Sequence, residues 1–234
     1  MHLVVMTGAG ISADSGVRTF RDSDGLWEGY RPEEVATPEA WAHDPGLVWR
    51  FYQERRAQLR KVAPNAAHMA LTSTATKLTA RGDQLTLVTQ NVDDLHERAL
   101  SSAIHMHGEL AVLRCEECGH TKRDLEHVEP NQFLPCSACG YHRLRPDIVW
   151  FGEVPYHLNE IEKALLDCTH FLAIGTSGQV YPAAGMLQIA RDRSAKTFVQ
   201  ALELPSNASR HDQFVAGRAA QVVPELLNRI TDNK

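Results

Sequence analysis

The stretch that decides the fold is "HLVVMTGAGISADSG", residues 2–16, in which a short apolar run leads directly into a glycine-rich turn. A continuous apolar run of this length that ends at a glycine is typical of a strand buried on both faces. Gly8, Gly10 and Ala13 match the dinucleotide-binding pattern G-x-G-x-x-G/A. Its glycines permit a tight turn and let a pyrophosphate reach backbone N–H groups at a helix start. A plain strand-to-helix turn remains the alternative, because this short pattern alone is not specific.

Three more apolar runs read as strands, at residues 85–92, 170–178 and 196–202, and helical patterns accompany them at 159–168 and 182–193. Short apolar strands that alternate with helices predict an α/β fold, here a Rossmann-like, mostly parallel sheet with helices on both faces. In such sheets, ligands bind beyond the carboxyl ends of the strands. The strand tips "TGAG", "TQNVDD" and "GTSG" therefore predict one site on one edge of the sheet.

Two segments interrupt this alternation. Residues 26–65 are aromatic and helical in pattern, and residues 109–147 carry paired cysteines and few long apolar runs. We expect a single domain, residues 1–234, in which these two segments are inserts. Its Rossmann-like core would consist of three segments, about 1–25, 66–108 and 148–234.

Four cysteines form two C-x-x-C pairs, "CEEC" with Cys115 and Cys118, and "CSAC" with Cys136 and Cys139. The spacing between the pairs is that of a structural zinc site. Four thiolates complete a tetrahedral shell and leave no open position for a substrate. A redox C-x-x-C is the alternative, which the doubled pair disfavours. The fifth cysteine, Cys168, lies in a helical pattern and is expected to be a buried small hydrophobe.

Composition limits the possible classes of function. The chain has 234 residues, 43% of them hydrophobic, and a net charge of −5. This length suits one good-sized core, or a core with a small insert. The acidic balance does not indicate binding to nucleic acid or to an anionic membrane, and no apolar run approaches the roughly 20 residues that span a bilayer. The first residues lack the features of a signal peptide, so we expect a cytoplasmic protein with reduced thiols. We also expect a monomer.

An ordinary NAD-dependent dehydrogenase is disfavoured by one feature. That class needs an acidic residue at the end of a second strand, about 20 residues beyond the glycines. Here the corresponding region is "FRDSDGLWEGYR", which does not have the pattern of a strand. A dinucleotide is therefore plausible, whereas hydride transfer is not favoured.

Several blocks of sequence together resemble one family. "GAGISADSGVRTFR", "TQNVDDLHERA", "HMHGEL", the paired cysteines, "RPDIVWFGE" and "GTSGQVYPAAG" are similar to the sirtuins, which are NAD-dependent protein lysine deacylases. The resemblance runs from about Val4 to Glu225 and is closest to the bacterial class III sirtuins. It implies a Rossmann-like domain joined to a small domain that consists of a zinc ribbon and a helical insert.

The resemblance also implies a reaction. The carbonyl oxygen of an acyl-lysine attacks C1′ of the nicotinamide ribose, nicotinamide leaves, and the products are lysine and O-acyl-ADP-ribose. His107 in "HMHGEL" would be the general base that activates a ribose hydroxyl, and a histidine suits proton transfer near neutral pH. His105 is the nearby competitor, but the His-Gly pairing favours His107. An NAD-dependent protein ADP-ribosyltransferase on the same site and a zinc-ribbon binding module are the alternatives.

The resemblance implies a set of residues that bind NAD. Asn91 and Asp93 would hold the nicotinamide carboxamide, which offers one acceptor and two donors, and Gln90 would contact the ribose. Phe20 would shield the reacting centre from water. Ala201 stands where the family often has asparagine, so we expect at most modestly weaker NAD binding. The remaining implied contacts are Gly8, Ala9, Gly10, Ile11, Ser12, Asp14, Ser15, Arg21, Asp22, Trp27, Val92, Gly175, Thr176, Ser177, Leu202, Glu203 and Ala219.

The acyl specificity depends on "RFYQERR", residues 50–56, which places Tyr52 and Arg55 on one helix face. Alone, this pair is most simply a surface detail. In class III sirtuins a Tyr-x-x-Arg at this place reads an acidic acyl group, such as succinyl or malonyl. Arg55 would bind the carboxylate in a bidentate manner, with a third bond from Tyr52. Arg56 is the alternative guanidinium, but it points about 100° away on the helix.

The resemblance implies three further substrate contacts. Ala36 would leave room for a longer acyl chain, and Val149 and Phe151 would line the acyl-lysine tunnel. The substrate peptide would dock in extended form between the segments "WFGE" and "GQVY". Main-chain hydrogen bonds make few demands on sequence, so we expect a broad range of acyl-lysine proteins as partners.

Overall fold

The computed structural model describes residues 1–18 and 29–232. Four of the residues implied to bind NAD lie outside this range: Phe20, Arg21, Asp22 and Trp27. In the described part of the chain, none of the helices is both long and apolar enough to cross a bilayer.

The described residues form nine strands and eight α-helices. The strands are β1 (His2–Thr7), β2 (Gln84–Thr89), β3 (Ile104–His105), β4 (Gly108–Cys115), β5 (Thr121–Arg123), β6 (Leu144–Ile148), β7 (His170–Ile174), β8 (Lys196–Ala201) and β9 (Gln213–Ala216). The helices are α1 (Pro32–Val35), α2 (Pro38–His43), α3 (Pro45–Leu59), α4 (Ala66–Ala80), α5 (Leu95–Arg98), α6 (Leu158–Leu166), α7 (Ala183–Asp192) and α8 (Ala219–Asp232).

The main sheet is parallel throughout and has the strand order β3-β2-β1-β7-β8-β9. The chain runs outward from β1 through β2 and β3, and then returns to the other side of β1 with β7. The order therefore reverses between β1 and β7, and such a switch point opens a crevice at the carboxyl ends of the strands. Thr7 is in register with Thr89 of β2 and with Ile174 of β7, so all three strands end at the same level.

Both faces of this sheet are covered by helices. Leu3 and Val5 of β1 belong to a core that contains α4 and α8, whereas Val4 and Met6 belong to a core that contains α6 and α7. Side chains alternate between the two faces of a strand, and all four are at most 1% exposed. Full burial of such a side chain contributes about 1.5–3 kcal/mol. This explains why residues 3–6 of the first strand are all apolar rather than alternating with polar residues.

The second sheet is antiparallel, with the order β5-β4-β6, and it packs against α1, α2 and α3 around a third core. Trp49 of α3 reaches across this core and donates its indole N–H to the backbone oxygens of Glu129 and Gln132, at 3.1 and 3.0 Å. The helical insert and the cysteine-bearing segment thus form one small unit beside the main sheet. The predicted fold class is confirmed, while the segment boundaries drawn from the sequence stay predictions.

The long helix α3 begins where its sequence indicates a helix start. Asp44 accepts a hydrogen bond from the backbone N–H of Leu47 at 2.9 Å, and Pro45 occupies the first helical position. Both are favourable at a helix N-terminus. The start at Pro45 fixes which residues of α3 are buried, among them Tyr52 and Arg55.

The structure corrects two details of the sequence analysis. The predicted strands 85–92 and 170–178 end at Thr89 and Ile174, because the polar residues beyond them leave the sheet and form the site. Within residues 8–18, the turn after β1 leads into two 3-10 turns, Ala9–Ile11 and Ala13–Ser15, instead of an α-helix. Gly16 ends the second turn with φ = 89°, which is readily accessible only to glycine.

Candidate active site

The turns after β1 and β7 are in direct contact. Gly8 donates its backbone N–H to the Ile174 oxygen, and Gly10 donates to the Gly175 oxygen, both at 2.9 Å. A Cβ on Gly10 would lie 2.6 Å from the Cα of Gly175, and a Cβ on Gly175 would lie 2.5 Å from the nitrogen of Ile11. The contact between the two turns therefore requires these glycines, in addition to any approach of a pyrophosphate.

The turn after β2 joins the same edge through polar side chains. Gln90 donates from Nε2 to the Thr176 hydroxyl at 3.2 Å. The Thr89 hydroxyl accepts from the Thr7 hydroxyl at 2.8 Å and from the backbone N–H of Asn91 at 3.0 Å. All three strand tips that the sequence analysis placed on one edge are thus hydrogen-bonded together.

A buried polar cluster lies at this edge. Asn91 donates from Nδ2 to the Ser12 hydroxyl at 3.1 Å, and the Asp93 carboxylate accepts from the Leu95 N–H at 3.2 Å. Burial raises the pKa of Asp93, although a hydrogen bond from Ser12 opposes this shift. A side-chain amide, a carboxylate and a hydroxyl together provide the donors and acceptors that a carboxamide needs. The chemistry of this cluster therefore fits the nicotinamide end of NAD.

His107 lies beside this cluster, in the connection between β3 and β4. Its Nδ1 is 3.0 Å from the backbone oxygen of Gln90. A carbonyl oxygen can only accept, so Nδ1 carries the hydrogen and Nε2 holds the lone pair. Burial lowers the pKa of His107 below its ordinary value of 6.5, against an opposing effect of the Gln90 oxygen. The ring is thus a neutral base near pH 7.

His105 has different partners. Its Nε2 is 3.0 Å from the Glu97 carboxylate, and its Nδ1 is 3.2 Å from the Asn91 oxygen. Burial lowers the pKa of His105, but the hydrogen bond and charge of Glu97 outweigh burial and raise it overall. Both ring nitrogens of His105 face protein acceptors, so neither is directed at a substrate, and this agrees with the choice of His107.

Asp14, a residue implied to bind NAD, makes structural contacts with the start of α8. The Asp14 carboxylate accepts from the Arg218 guanidinium and from the Ala220 N–H, both at 3.2 Å. It therefore covers the N-terminal end of α8, where Ala219 is buried. An acidic group is favourable at such an end, so Asp14 connects the first turn to α8.

Asn65 is a residue that the sequence analysis missed. It accepts from the Ala67 N–H at the start of α4, and it donates from Nδ2 to the Ile11 oxygen at 2.8 Å and to the Ser15 hydroxyl at 3.0 Å. One amide thus caps a helix and holds the turn after β1. The signal was available, because asparagine before a helical run is a preferred N-cap.

The other implied NAD contacts lie around the same edge. Ala201 is buried at the end of β8, while Leu202 and Glu203 are exposed. Val92 follows Asn91 in the turn after β2, and its oxygen accepts from the Leu110 N–H at 2.8 Å. Ala9 is half-buried in the first turn, and Ser177 is half-buried directly after Thr176.

The segment Val149–Phe151 connects the base to the helical insert. Val149 donates its backbone N–H to the His107 oxygen at 2.9 Å, and Phe151 donates its backbone N–H to the Ala36 oxygen at 3.0 Å. Between them, Trp150 donates its indole N–H to the Tyr52 hydroxyl at 3.0 Å. All the residues assigned to the acyl tunnel except Arg55 are therefore linked by these three hydrogen bonds.

Tyr52 and Arg55 are not a surface pair, because their exposed fractions are 0% and 8%. The guanidinium of Arg55 lies over the ring of Phe51, 3.7 Å from its centroid. Arg56 is fully buried on another face of α3 and donates to the Leu110 oxygen at 2.8 Å. Arg56 thus binds the helix to the second sheet, whereas the guanidinium of Arg55 faces Phe51 of its own helix.

The four cysteines of the two C-x-x-C pairs come together. The Sγ atoms of Cys115 and Cys139 are 3.7 Å apart, as are those of Cys118 and Cys136, and all four lie within 4.8 Å of one another. Tetrahedral zinc with four thiolates places its sulfurs about 3.8 Å apart, from the usual Zn–S distance. The cluster therefore fits one structural zinc ion. Cys168 is buried, as expected.

Comparisons with known proteins agree with this geometry. A model of the Sir2 family matches residues 8–182. A protein of Caulobacter vibrioides named NAD-dependent protein deacylase is 48% identical over 98% of this chain and 97% of its own length. A protein of Pasteurella multocida with the same name is 49% identical over 97% of each chain.

Solved structures show the same fold. The structure of a Sir2 homolog–NAD complex has a TM-score of 0.87 and 37% identity, over 99% of this chain and 90% of that one. The structure of Sir2Af2 bound to a myristoylated histone peptide has a TM-score of 0.73 and 30% identity, over 100% and 93% of the two chains. The resemblance found in the sequence is thereby confirmed, and this chain belongs to the Sir2 family, the sirtuins.

Proposed function

We propose that this protein is an NAD-dependent protein lysine deacylase that removes acetyl groups and the acidic succinyl and malonyl groups. The observation that carries the proposal is the position of His107. Its ring is held by Gln90 of the turn that carries the carboxamide cluster, and its backbone is held by Val149 of the acyl segment. One base is thus connected to the groups that would hold each of the two substrates.

NAD supplies an activated bond between nicotinamide and ribose, and its cleavage drives the reaction. Ser12, Asn91 and Asp93 would hold the carboxamide in a cluster that is at most 8% exposed. Burial excludes water, which would otherwise compete with the acyl-lysine oxygen. His107 would accept the proton of a ribose hydroxyl at Nε2, because Nδ1 is already bonded to the Gln90 oxygen.

The acidic acyl groups are assigned to the face of α3 that carries Tyr52 and Arg55. A guanidinium presents several N–H donors in a planar fork, which suits a bidentate bond to a carboxylate. The Phe51 ring supports the guanidinium from one side. The small residue Ala36 is joined to Phe151 through their backbones, and it would leave room there for the acyl chain.

Acylated proteins are the expected partners. The substrate peptide would lie in extended form beside Phe151 and Val180, which are 50% and 39% exposed on the segments "WFGE" and "GQVY". The proposal includes a monomer that works in the cytoplasm and does not bind nucleic acid. The net charge of −5 and the zinc-type cluster of reduced cysteines support it.

The test is incubation of the zinc-loaded protein with NAD and with acetyl-, succinyl- or malonyl-lysine peptides, followed by mass spectrometry. We expect free lysine peptide, nicotinamide and O-acyl-ADP-ribose in equal amounts. Transfer of ADP-ribose to protein without deacylation would favour the ADP-ribosyltransferase instead. The appearance of NADH would favour a dehydrogenase, and the absence of any NAD-dependent product would refute the proposal.

The assigned base is tested by His107→Ala, which should lower deacylation by about 100-fold or more. The matched control is His211→Ala, because His211 is exposed and precedes β9, at the amino end of the parallel strands rather than at their carboxyl ends. Circular dichroism and zinc content check that both variants fold. Full activity of His107→Ala would remove His107 from the mechanism without affecting the assignment of the NAD site.

A further inference from the structure

His105 faces an atom that can only accept a hydrogen bond at each of its two ring nitrogens. Its Nδ1 lies 3.2 Å from the backbone oxygen of Asn91, and its Nε2 lies 3.0 Å from the carboxylate of Glu97. A neutral imidazole has one N–H and one lone pair, so it can satisfy one of these two acceptors. The imidazolium has two N–H groups and satisfies both. The geometry therefore favours the charged form of His105.

Glu97 is the partner that balances this charge. One oxygen of its carboxylate accepts from the His105 ring and also from the backbone N–H of Ala103 at 3.4 Å. Burial raises the pKa of Glu97, but the hydrogen bond and charge of His105 outweigh burial and lower it overall. For His105, burial lowers the pKa, but the contact with Glu97 raises it overall. The two groups thus form an ion pair between α5 and β3, with side chains that are 31% and 8% exposed.

His105 differs from the imidazoles beside it. His96 of α5 stays neutral near pH 7, because burial lowers its pKa to about 3. His107 is neutral because burial lowers its pKa as well. Of these three rings, His105 is therefore the one that carries a positive charge. The other charged groups of the neighbouring elements are Glu109, whose charge also favours the imidazolium, and Arg98 and Arg123, which both pair with Asp94.

The positive charge affects Asp93, whose carboxyl group belongs to a residue that is 4% exposed. Burial raises the pKa of Asp93, while hydrogen bonds from Ser12 and the Leu95 N–H, together with the charge of His105, lower it. A protonated Asp93 would present an O–H donor to a carboxamide, where a carboxylate presents only acceptors. His105 is charged on the acid side of its own raised pKa, which is the range in which Asp93 would otherwise take up a proton.

We propose that the ion pair of His105 and Glu97 positions the NAD site, because it holds the main chain of Asn91 and keeps Asp93 a carboxylate that can accept from the nicotinamide carboxamide. Both ring nitrogens of His105 are occupied by protein groups, so His105 acts through Asn91 and Asp93 as a positioning residue. This inference rests on the proposed binding of the carboxamide by these two residues. The ion pair would extend NAD binding to lower pH.

The test is the His105→Asn variant, whose shorter amide can still donate toward the Asn91 oxygen but carries no charge. Calorimetry measures the dissociation constants of NAD and of ADP-ribose, which is NAD without its nicotinamide, from about pH 6 to about pH 8.5. We expect the affinity for NAD to fall by about 3- to 10-fold at the acid end of this range, and by less at the alkaline end, where Asp93 is ionised in both proteins. The affinity for ADP-ribose should not change at any pH.

The matched control is His170→Asn, which removes a partly buried imidazole at the start of β7, at the amino end of the sheet. Its affinity for NAD should match that of the unaltered protein at every pH. The double variant His105→Asn/Asp93→Asn provides the decisive comparison. An asparagine at position 93 cannot ionise, so the His105 change should have little further effect on the pH dependence of NAD binding.

Glu97→Gln is a second, milder variant in case His105→Asn folds poorly. Its amide keeps an oxygen for the Ala103 N–H but removes the negative charge that favours the imidazolium of His105. The affinity for NAD should therefore fall by about 2- to 3-fold at the acid end of the range, again without a change for ADP-ribose.

Two outcomes in the folded variants would overturn this inference alone. One is an equal loss of affinity for NAD and ADP-ribose, which would show that the ion pair only supports the fold, and the other is an unchanged affinity for NAD at every pH. If Asp93→Asn bound NAD as the unaltered protein does, the assignment of the carboxamide cluster would fall together with the inference. These measurements use no acyl-lysine peptide, so an absence of deacylation would refute the proposed activity separately.

Discussion

On the NAD side of the candidate site, backbone groups and short polar side chains meet at the ends of three parallel strands, whereas on the acyl side long aromatic and guanidinium side chains meet between a helix and a loop. The NAD side comprises residues 8–15, 90–93 and 175–177. The acyl side comprises Ala36, Tyr52, Arg55 and Val149–Phe151. The first is fixed by turns and close packing, and the second by single hydrogen bonds across the small unit.

Because the two sides are held together differently, substitutions on them should have different effects on activity. A change on the NAD side affects the substrate that every reaction shares, so it should lower all deacylations by the same factor. A change on the acyl side should alter the choice among acyl groups and leave NAD binding intact. The predictions below separate the two sides by this criterion.

The largest effect is expected for Gly10→Ala. The new Cβ would lie 2.6 Å from the Cα of Gly175, a backbone atom that cannot rotate away. We expect a loss of about 1–3 kcal/mol in the free energy of unfolding. We also expect at least a tenfold loss of both deacetylation and desuccinylation, because the two turns must move apart. Thermal unfolding and parallel assays on both peptides check this.

Gly185→Ala is the matched control. Its nearest neighbour would be a ring carbon of Tyr181 at 3.7 Å, an ordinary contact, and Gly185 lies within α7, where alanine is favourable. A Gly10→Ala protein with unchanged stability and activity would show that the turns adjust, and the proposed rigidity of the NAD side would be wrong.

The next effect is expected for Arg55→Met. Loss of the guanidinium removes charge-assisted hydrogen bonds to the acyl carboxylate, so kcat/KM for desuccinylation should fall by about 10- to 100-fold. Deacetylation should fall far less. Arg50→Met is the control, because Arg50 is exposed on the same helix. Equal loss of both activities, or loss of neither, would contradict the assignment of Arg55.

The pH dependence of deacylation tests His107, the base that both sides of the site share. His107 acts when neutral, and burial lowers its pKa below 6.5. Activity should therefore be constant above that pKa and fall about tenfold per pH unit below it. The acid limb should begin below about pH 6.5 and be the same for acetyl- and succinyl-lysine peptides. An acid limb that starts above pH 7 would contradict a base with a lowered pKa.

The smallest effect is expected for Ala201→Asn. Ala201 is buried at the end of β8, and its oxygen accepts from Gly217 at 3.2 Å. An added amide could give one more hydrogen bond to the cofactor, so the affinity for NAD should rise by about 3-fold or less. Calorimetry measures this directly. Unchanged affinity would mean that alanine at position 201 does not weaken the binding of NAD.

The sequence predicted the NAD side better than the acyl side for a physical reason. The strands β1, β7 and β8 are buried on both faces, so their apolar runs are visible in the sequence. Glycines mark the ends of β1 and β7. The strands β3 and β9 escaped prediction because they have only two and four residues. Runs that short carry no reliable periodicity.

The missed contacts join residues that are far apart in the chain. Trp150 and Tyr52 are separated by 98 positions, and Asn65 and Ile11 by 54. Local patterns identify the type of element that a residue belongs to, but only the packing of that element decides which partner it meets. The arginines of α3 illustrate this, because Arg55 and Arg56 are adjacent yet reach different parts of the small unit.

The contact between the turns after β1 and β7 has a consequence for the evolution of this protein. Gly10 and Gly175 each occupy the space that a side chain on the other would need. A larger residue at either position can be accommodated only if the opposite turn moves as well. Among homologous chains, these two turns should therefore change together or not at all, as one inherited unit made from two distant parts of the gene.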